Sequence, residues 1–560
     1  MQSSHQLPSR RDFLQRSSAA IAAGSGLSAL GLRALAADAP ASLKALAAQG
    51  LVDGPRQGIA CLRHEAAEAA RVVLLQGGDA IDAAVAALLV LYVIEPSNTG
   101  LGGYGGSLVV YRAKTGKVES IDCTARAPRK FDPATFNAKS SNHGNLALGV
   151  PGNVAGIDLA LREFGTKSFR DLATAAIALA EDGIVVTPQL AAQFAGLNKD
   201  FDDVSKHAYW PQGLPARGTV WKQPDLARLM RRLGDEGPGS FYTGEVATTI
   251  SKQVQANGGV LAEDDFHDFH ATKYEPLHIN YRGFDLYTPP LPSGGLTSLS
   301  ILKTLEQFDL PQYTPWGAPY FELLIGATNL GWADREKYFG DPEFVKVPVE
   351  ELLSEKHAKA NAAVLRKGTP AATTEASTTS HTVNLVVADK DQNIVSWTST
   401  HGNDFGSHVA IEGLGLMLGH GMSRFVANNA SPNYPAARKR PQHNMAPLVV
   451  LKDGKPYAGL GLPGGTRIVT VTSQLAVNLI DFKASPQKIV TAPRMHVEGK
   501  NPVQLTPDAP AGVAETLRKD GHDVQQIKGV GGDANAVVFD LKTGRVDAAA
   551  GKNSDGVLVF

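Results

Sequence analysis

The sequence has few of the features that mark several large classes of protein. Its 560 residues include only two cysteines, Cys61 and Cys123, too few for a disulfide framework or a cysteine metal site. We predict that both are small buried residues, with a bridge between them left open. Charge of neither sign dominates, at 54 Lys and Arg against 55 Asp and Glu, so the charge does not suggest a nucleic-acid partner. No apolar run reaches the length of a membrane span.

The first 36 residues are predicted to be an export signal and not part of the fold. Arg10 and Arg11 precede a weakly apolar segment rich in Ala, Gly and Ser, which ends in the small residues 34–37. Paired arginines followed by Asp-Phe-Leu resemble a twin-arginine signal. We therefore expect a mature chain that begins near Ala37 and works in the periplasm or outside the cell.

Helical periodicity and glycine content organise the first half of the chain. A helical pattern runs from His64 to Ile94 and is broken at Gly77 and Gly78. Its second half is apolar nearly all round, which predicts a buried helix. The glycine-rich residues 100–106 precede a strand pattern instead of linking a strand to a helix, which argues against a phosphate loop. So many glycines predict a backbone that passes close to other atoms.

The pattern changes after residues 360–377, which are rich in Ala, Thr and Lys and are predicted to be a linker. Beyond it, alternating apolar and polar residues predict three hairpins, at 382–400, 446–462 and 535–551. A helix is predicted after Gly464–Gly465. Helices and strands before the linker, with a strand-rich part after it, favour an α+β sandwich built across the linker.

A cluster of hydroxyl side chains lies at the end of this linker, in the stretch Ser377-Thr-Thr-Ser-His-Thr382. A lone Ser or Thr is a weak nucleophile without a base. If the chain were cut directly before a threonine, the freed α-amine, with a pKa near 8, would supply that base on the same residue. Such a cut requires a flexible segment before the threonine and a strand after it, and the sequence contains them in that order.

Several motifs, in the same order along the chain, resemble those of the γ-glutamyltransferase (glutathione hydrolase) family of N-terminal-nucleophile hydrolases. They cover nearly everything after the signal, and they are GGDAIDAAVAA, GLGGYGG, GVPGNVAGIDLAL, PSGGLTSL, ADREKYFGDPEFVKVP, KRPQHNMAP, LPGGTRI and APRMH. The resemblance implies a four-layer αββα sandwich and self-cleavage into two subunits. It also implies an acyl-enzyme formed on the new N-terminal threonine.

The resemblance assigns roles to particular residues. Cleavage between His381 and Thr382 would give subunits 37–381 and 382–560, with Thr382 as nucleophile. The family spacing from nucleophile to acidic turn and T-x-T pair fits Thr382 without a gap, whereas the alternative, Thr379, needs three inserted residues. Such an insertion would change which residues face each side of the strand. Thr400 would support the nucleophile, and the backbone amides of Gly464 and Gly465 would bind the oxyanion.

The residues that should recognise a γ-glutamyl group depart from the family pattern. Thr124 stands where the family has a carboxylate-binding Arg, and Arg126 is a candidate replacement. The three ammonium-binding positions and the Ser pair that braces the carboxylate are here Gly402, Gly421, Arg424 and His443–Asn444. Further candidate substrate contacts are His401, Asn403 and Asp404, with His443 and Asn444.

We therefore predict an autoprocessing hydrolase or acyltransferase that acts on a small-molecule or peptide amide and needs no cofactor. A γ-glutamyl amide and a different acyl amide both stay open as substrates, and so does a homologue that binds without turnover. A metal hydrolase built on His401, His408, His420 and His443 is disfavoured, since these residues show neither the i, i+4 spacing nor the adjacent carboxylate of a metal motif.

Overall fold

The computed structural model describes residues 56–137, 142–368, 381–499 and 502–560. The strands, in chain order, are β1 (Gly58–Cys61), β2 (Gly105–Arg112), β3 (Lys117–Asp122), β4 (Ile184–Val185), β5 (Val220–Trp221), β6 (Thr272–Tyr274), β7 (Leu277–Tyr281), β8 (Phe284–Thr288), β9 (His381–Ala388), β10 (Ile394–Gly402), β11 (Val409–Ile411), β12 (Leu416–Leu418), β13 (Leu448–Lys452), β14 (Lys455–Gly461), β15 (Met495–His496), β16 (Val503–Leu505), β17 (Val524–Gln526), β18 (Asn535–Phe539), β19 (Val546–Ala550) and β20 (Gly556–Val559).

The helices, in chain order, are α1 (His64–Leu75), α2 (Ala80–Ile94), α3 (Asn153–Phe164), α4 (Phe169–Asp182), α5 (Pro188–Asp200), α6 (Asp203–Tyr209), α7 (Pro224–Glu236), α8 (Glu245–Ala256), α9 (Glu263–His267), α10 (Gly295–Leu305), α11 (Ala318–Tyr338), α12 (Val349–Leu352), α13 (Glu355–Leu365), α14 (Arg467–Ile480), α15 (Pro486–Thr491) and α16 (Val513–Lys519).

Two large antiparallel sheets form the centre of the molecule. The first has the strand order β20-β1-β9-β10-β2-β3-β6, and the second has the order β19-β18-β14-β13-β8-β7. Both sheets combine strands from before and after residue 381, so the two parts of the chain complete one fold. The prediction of a sandwich built across the linker is therefore confirmed.

Three apolar cores separate the layers. Val386 of β9 and Val449 of β13 belong to the core between the two sheets. Helices α1 and α2 cover the outer face of the first sheet, and α10 and α14 cover the outer face of the second. Helix, sheet, sheet and helix make the predicted four-layer αββα sandwich, since each sheet buries one face on the other sheet and one on helices.

The local predictions agree with the structure at most positions. Helices α1 and α2 are separated at Gly77 and Gly78, and Asp79 caps α2 through the backbone amides of Ile81 and Asp82. The pairs β9–β10, β13–β14 and β18–β19 are the three predicted hairpins.

The linker prediction was wrong at its start. Helix α13 continues to Leu365, six residues into the predicted linker, because Ala358 and Ala362 keep one helix face buried. Residues 369–380, which include the alternative nucleophile Thr379, lie outside the described part of the chain.

The two cysteines agree with the prediction from the sequence. Cys61 and Cys123 are both buried and free, so the reading as small buried residues is confirmed. Burial raises the pKa of the Cys61 thiol to about 12.

Within the described ranges, no helix combines the length and the apolarity that crossing a bilayer requires.

Candidate active site

Strand β9 holds Thr382 at its beginning, between the two sheets. Side chains alternate along a strand, and Val383, Leu385 and Val387 pack in the helix-facing core. Thr382 therefore shares with Asn384 and Val386 the face that is turned towards the second sheet. Thr382 is buried, with 5% of its surface exposed. The described backbone of β9 also includes His381, which pairs with Gly402.

Thr400 lies directly beside Thr382 on the neighbouring strand β10. The hydroxyl of Thr382 donates a hydrogen bond to Thr400 Oγ1 over 3.0 Å. The backbone amide of Gly402 donates to the same oxygen over 2.8 Å. An irregular register between Ser399 and Gly402 allows this folded-back contact. The Thr400 hydroxyl thus fixes the position of Thr382 Oγ1, and Thr400 is itself held in place by β10.

Gly464 and Gly465 follow β14, whose last residue, Gly461, lies against the side chain of Asn384, two residues after Thr382. Their φ angles are 138° and 63°, values that favour glycine. A Cβ on Gly464 would also stand 2.8 Å from the backbone of Gly531 and Gly532, so a side chain does not fit. The pair leads directly into α14, whose N-terminal end carries partial positive charge. This backbone can approach a developing anion closely.

The arginine of the motif APRMH, Arg494, has a structural role that was not predicted from the sequence. Arg494 is buried, and its guanidinium donates to the carbonyl of Gly532 over 2.8 Å and to the carbonyl of Val490 over 2.5 Å. The amide of Gly532 in turn donates to the carbonyl of Pro463 over 2.7 Å. Arg494 therefore holds the loop against which Gly464 packs. The motif contained the signal, because an arginine between apolar residues usually has a structural partner.

Gly402, where the family pattern has a side chain, is covered by an imidazole. A Cβ built on Gly402 would stand 2.1 Å from Cδ2 and Nε2 of His420, and its φ angle is 103°. His420 Nδ1 is 3.2 Å from the carbonyl oxygen of Asn142. Burial and the nearby charge of Arg424 lower the pKa of His420 well below its usual range, so the ring is neutral at pH 7.

Arg424 ends a short 3-10 helix that starts directly after His420. Its Cζ atom is 6.0 Å from the centroid of the Tyr104 ring. Tyr104 precedes Gly105, which pairs with Thr400 across the sheet. A positive charge thus lies near Tyr104, which directly precedes the strand that pairs with β10. At position 424 the resemblance to the family predicts an acidic residue, so Arg424 has the opposite charge from the one expected there.

A buried ionic network surrounds Asp122 at the end of β3, the strand that pairs with β2. Asp122 accepts hydrogen bonds from the amide and the hydroxyl of Thr124, at 3.1 and 2.5 Å. Arg440 bridges Asp122, at 3.1 Å, and Asp341, at 2.7 Å. His443 Nε2 is 3.6 Å from Asp122. Burial raises the pKa of Asp122, but the contact with His443 and the charge of Arg440 lower it by more, so Asp122 stays ionised.

Asn444 is held by a second buried arginine. Arg335 donates to Asn444 Oδ1 over 2.7 Å and to the carbonyl of His443 over 3.0 Å. Burial lowers the pKa of Arg335 to about 10, which leaves it charged at pH 7. The roles of Arg335 and Arg440 were not predicted from the sequence, although both residues belong to motifs that resemble those of the family. Arg335 and Asn444 are 109 positions apart in the sequence, and no local pattern predicts that they contact each other.

The candidate carboxylate ligand Arg126 is engaged elsewhere. Its guanidinium forms a two-pronged ion pair with Glu343, at 2.7 and 2.9 Å. It lines a cavity of about 480 Å³ whose walls also include Phe269 and Phe344. Asn403, another candidate, donates its side-chain amide to Asn142 over 3.0 Å. In the described structure these two residues therefore contact protein groups.

The histidines near the end of β10 are buried. His401 and His420 are each 1% exposed, and burial lowers the pKa of His401 to about 3 and, with the charge of His143, that of His408 to about 4. His143 stacks on His408 with ring centroids 3.9 Å apart. Over the part of the chain that the structure describes, no three His, Cys, Asp or Glu side chains are grouped to hold a metal ion.

Two stacked sheets covered by helices on both outer faces form the αββα architecture of N-terminal-nucleophile hydrolases, and Thr382 lies buried at the start of a central strand. Comparison with known proteins gives the family. The sequence profile described as Gamma-glutamyltranspeptidase matches residues 66–559. The chain therefore belongs to the gamma-glutamyltranspeptidase family of amide hydrolases and acyltransferases.

The relatives include two kinds of enzyme. A glutathione hydrolase proenzyme of Escherichia coli K12 is 34% identical, over 76% of this chain and 78% of its own. An Acylase ACY 1 proenzyme of Pseudomonas sp. strain SE83 is 33% identical, over 90% and 93%. A solved cephalosporin acylase of Bacillus halodurans superposes with a TM-score of 0.84 at 28% identity, covering 91% of this chain and 96% of its own.

Proposed function

We propose that the chain cuts its own peptide bond between His381 and Thr382 and then uses Thr382 as an N-terminal nucleophile. The observation that carries this proposal is the 3.0 Å hydrogen bond from Thr382 to Thr400 at the start of β9. The proenzyme names of the relatives support a precursor that is cut into two subunits. The subunits are then residues 37–381 and 382–560.

The freed α-amine of Thr382 supplies the base that a threonine hydroxyl needs. With a pKa near 8, it takes the hydroxyl proton as the oxygen attacks the amide carbon. The amides of Gly464 and Gly465 stabilise the oxyanion, and the Thr400 hydroxyl keeps the attacking oxygen in line. The amine returns the proton to the leaving nitrogen as the C–N bond breaks. Water, or an acceptor amine, then attacks the ester carbon and releases Thr382.

The substrate is an amide of a small molecule or a peptide. The two kinds of relative favour different acyl groups, since one kind is named for glutathione and the other as an acylase. Altered residues at Gly402, Arg424 and His443–Asn444 favour an acyl group other than γ-glutamyl. Hydrolysis is favoured over transfer on the same ground. Asn403, Asn444, His443 and Arg126 remain candidates for contacts with the substrate.

Export is part of the proposal. The twin-arginine pattern at Arg10–Arg11 favours removal of residues 1–36 and activity in the periplasm or outside the cell. These residues lie outside the described structure. Replacing both arginines by lysine should leave the precursor in the cytoplasm, as detected by fractionation and immunoblotting. Unchanged export would contradict this part.

Denaturing electrophoresis tests the central claim. The full chain of 59.1 kDa should give two bands, and N-terminal sequencing of the smaller should begin at Thr382. Thr382→Ala should stay as one band and lose more than about 10⁴-fold in activity, because the nucleophile is gone. Thr379→Ala is the matched control and should be cut normally. A smaller band that starts at Thr379 would move the nucleophile, and a wild type that stays uncut would overturn the proposal.

A further inference from the structure

The face of β10 that is turned towards the helices carries Ser399, the residue directly before Thr400. Side chains alternate along a strand, and Trp397, two residues earlier, packs in the helix-facing core. Ser399 therefore lies on the opposite face from Thr400. Its side chain is fully buried. A buried hydroxyl on that face needs hydrogen-bond partners in the helical layer.

Two further hydroxyls provide these partners. Ser399 Oγ is 3.0 Å from Tyr92 Oη, near the end of α2, and 2.9 Å from Thr99 Oγ1, in the loop that follows α2. At most 2% of the surface of each of these three residues is exposed. Burial raises the pKa of the Tyr92 phenol, so the group is protonated and neutral at pH 7. We call Tyr92, Ser399 and Thr99 the hydroxyl chain.

The loop after α2 also holds β10 on the other side of Thr400. The backbone amide of His401 donates to the carbonyl of Asn98 over 3.0 Å. Thr99, the next residue of this loop, contacts Ser399. The residues immediately before and after Thr400 are thus hydrogen-bonded to two consecutive residues of the same loop.

Asn153, at the start of α3, fixes this loop in turn. Its side-chain amide donates to the carbonyl of Gly100 over 2.7 Å and to Thr99 Oγ1 over 3.4 Å. There is little room for movement, since a Cβ on Gly103 would stand 2.2 Å from Asn153 Nδ2 and 2.7 Å from the carbonyl oxygen of Thr400. The loop, Asn153 and the backbone of Thr400 are therefore packed as one unit.

Thr400 needs such support because the ladder between β9 and β10 is irregular at this point. Ser399 pairs with Val383, but the next residue of β10 that pairs with β9 is Gly402, after a shift in register. A bulge of this kind disrupts the ladder locally, so the neighbouring strand holds the backbone less firmly. Contacts on the helix side replace part of that support.

From these contacts we propose that the hydroxyl chain positions Thr400 and, through it, the attacking oxygen of Thr382. Ser399 and Thr99 hold the backbone that carries the Thr400 hydroxyl, and Tyr92 ties Ser399 to α2. All three are positioning residues that act through Thr400. The inference rests on Thr382 as the nucleophile, and it extends the catalytic arrangement from the strands into the helical layer.

The rate of self-cleavage tests this proposal directly, because the cut needs no bound substrate. Precursor made by cell-free translation is followed by denaturing electrophoresis over time. Thr99→Val keeps the shape of the side chain but removes the hydroxyl. It should slow cleavage about tenfold, since small displacements of reacting groups lower rates steeply. Thr99→Ser keeps the hydroxyl and should stay within about twofold of the wild type.

Thr304→Val is the matched control, because it also removes a buried threonine hydroxyl. Thr304 lies on α10, is 1% exposed and accepts a hydrogen bond from Asn361 over 3.2 Å. This variant should lower the unfolding temperature as Thr99→Val does, but it should cleave at the wild-type rate. If it slows cleavage as much as Thr99→Val does, the slowing reflects lost stability, and the inference is overturned.

A double-mutant cycle tests whether Ser399 acts through Thr400. Ser399→Ala alone should slow cleavage about tenfold. Added to Thr400→Val, it should slow cleavage further by less than about twofold, because the hydroxyl that it positions is already gone. Equal slowing in both backgrounds would show that the two residues act independently and would overturn the inference.

The outcomes separate this inference from the proposed function. If the wild type cleaves itself at Thr382 and Thr99→Val cleaves as fast as Thr99→Ser, the inference is wrong and the proposed function stands. If the wild type stays uncut, the proposed function fails first, and this inference fails with it.

Discussion

The two sides of the candidate site, which meet at Thr400 and Gly402 of β10, differ in how they are built. On the catalytic side, Thr382, Thr400 and the Gly464–Gly465 backbone form a small set of hydroxyls and amides. On the recognition side, Gly402 is covered by His420, with Arg424 beside it. The catalytic side agrees with the family pattern, and the recognition side does not. One scaffold can therefore keep its chemistry while its acyl pocket changes.

The largest effect is expected at the buried charges under the recognition side. Asp122→Asn should lower the free energy of unfolding by about 3–5 kcal/mol at pH 7, because Arg440 loses one of its two buried partners. Urea unfolding measures this. Asp158→Asn breaks an exposed pair with Arg162 and should cost less than about 0.5 kcal/mol. If Asp122→Asn lowers the free energy of unfolding by less than about 1 kcal/mol, the network of Asp122, Arg440 and Asp341 contributes little to stability.

The same substitution has a defined pH dependence. The pKa of Asp122 in the folded protein lies below its usual value of about 4, so its stabilisation is complete above that value. The stabilisation declines as the pH falls from about 4 towards the lower pKa of the folded state. The difference between wild type and Asp122→Asn should therefore be constant from pH 5 to 7 and shrink below pH 4. A difference that grows on acidification would contradict this sign.

The contact between Gly402 and His420 is the next test. Gly402→Asn restores the family side chain but places its Cβ 2.1 Å from the imidazole, at a φ of 103°. We expect a loss of about 3 kcal/mol in unfolding free energy, from overpacking and backbone strain. Adding His420→Ala should recover more than half of that loss, as a double-mutant cycle measures. Additive losses would show that the two positions are not coupled.

On the catalytic side, Thr400→Val removes the hydroxyl that positions Thr382. We expect kcat to fall on the order of 10²-fold and self-cleavage to slow, because the attacking oxygen loses its partner. Thr400→Ser keeps the hydroxyl and should stay within about fivefold of wild type. Rates come from an anilide assay and from the time course of the two bands. A Val variant as fast as the Ser variant would remove Thr400 from the mechanism.

The smallest effect is expected at Arg126. Its pair with Glu343 is partly exposed, with 48% of the Glu343 side chain accessible, so Arg126→Gln should cost less than about 1 kcal/mol in stability. It should change kcat/KM by less than about threefold, and Glu343→Gln should behave in the same way. A selective rise in KM of about tenfold or more for Arg126→Gln alone would instead place Arg126 in the substrate site.

The elements of this fold could be predicted well from local patterns. The three hairpins follow from alternation and turn residues, and the break between α1 and α2 follows from Gly77 and Gly78. The boundary of α13 could not, because burial of Ala358 and Ala362 by other parts of the chain extends the helix beyond its local signal. Contacts between residues far apart in the sequence, such as Arg335 with Asn444, could not be predicted, because no local sequence pattern indicates them.

The sequence by itself predicted the candidate catalytic residues, because their proposed roles depend on spacing along strands and on residues with special chemistry. The distance from Thr382 to Thr400 and the glycine pair at 464–465 can be read directly. Only the tertiary structure decided the recognition side. It showed His420 in the volume in front of Gly402, Arg424 over Tyr104 and Arg126 paired with Glu343. A pocket is made by side chains that distant segments bring together, and charge and volume there depend on which of them meet.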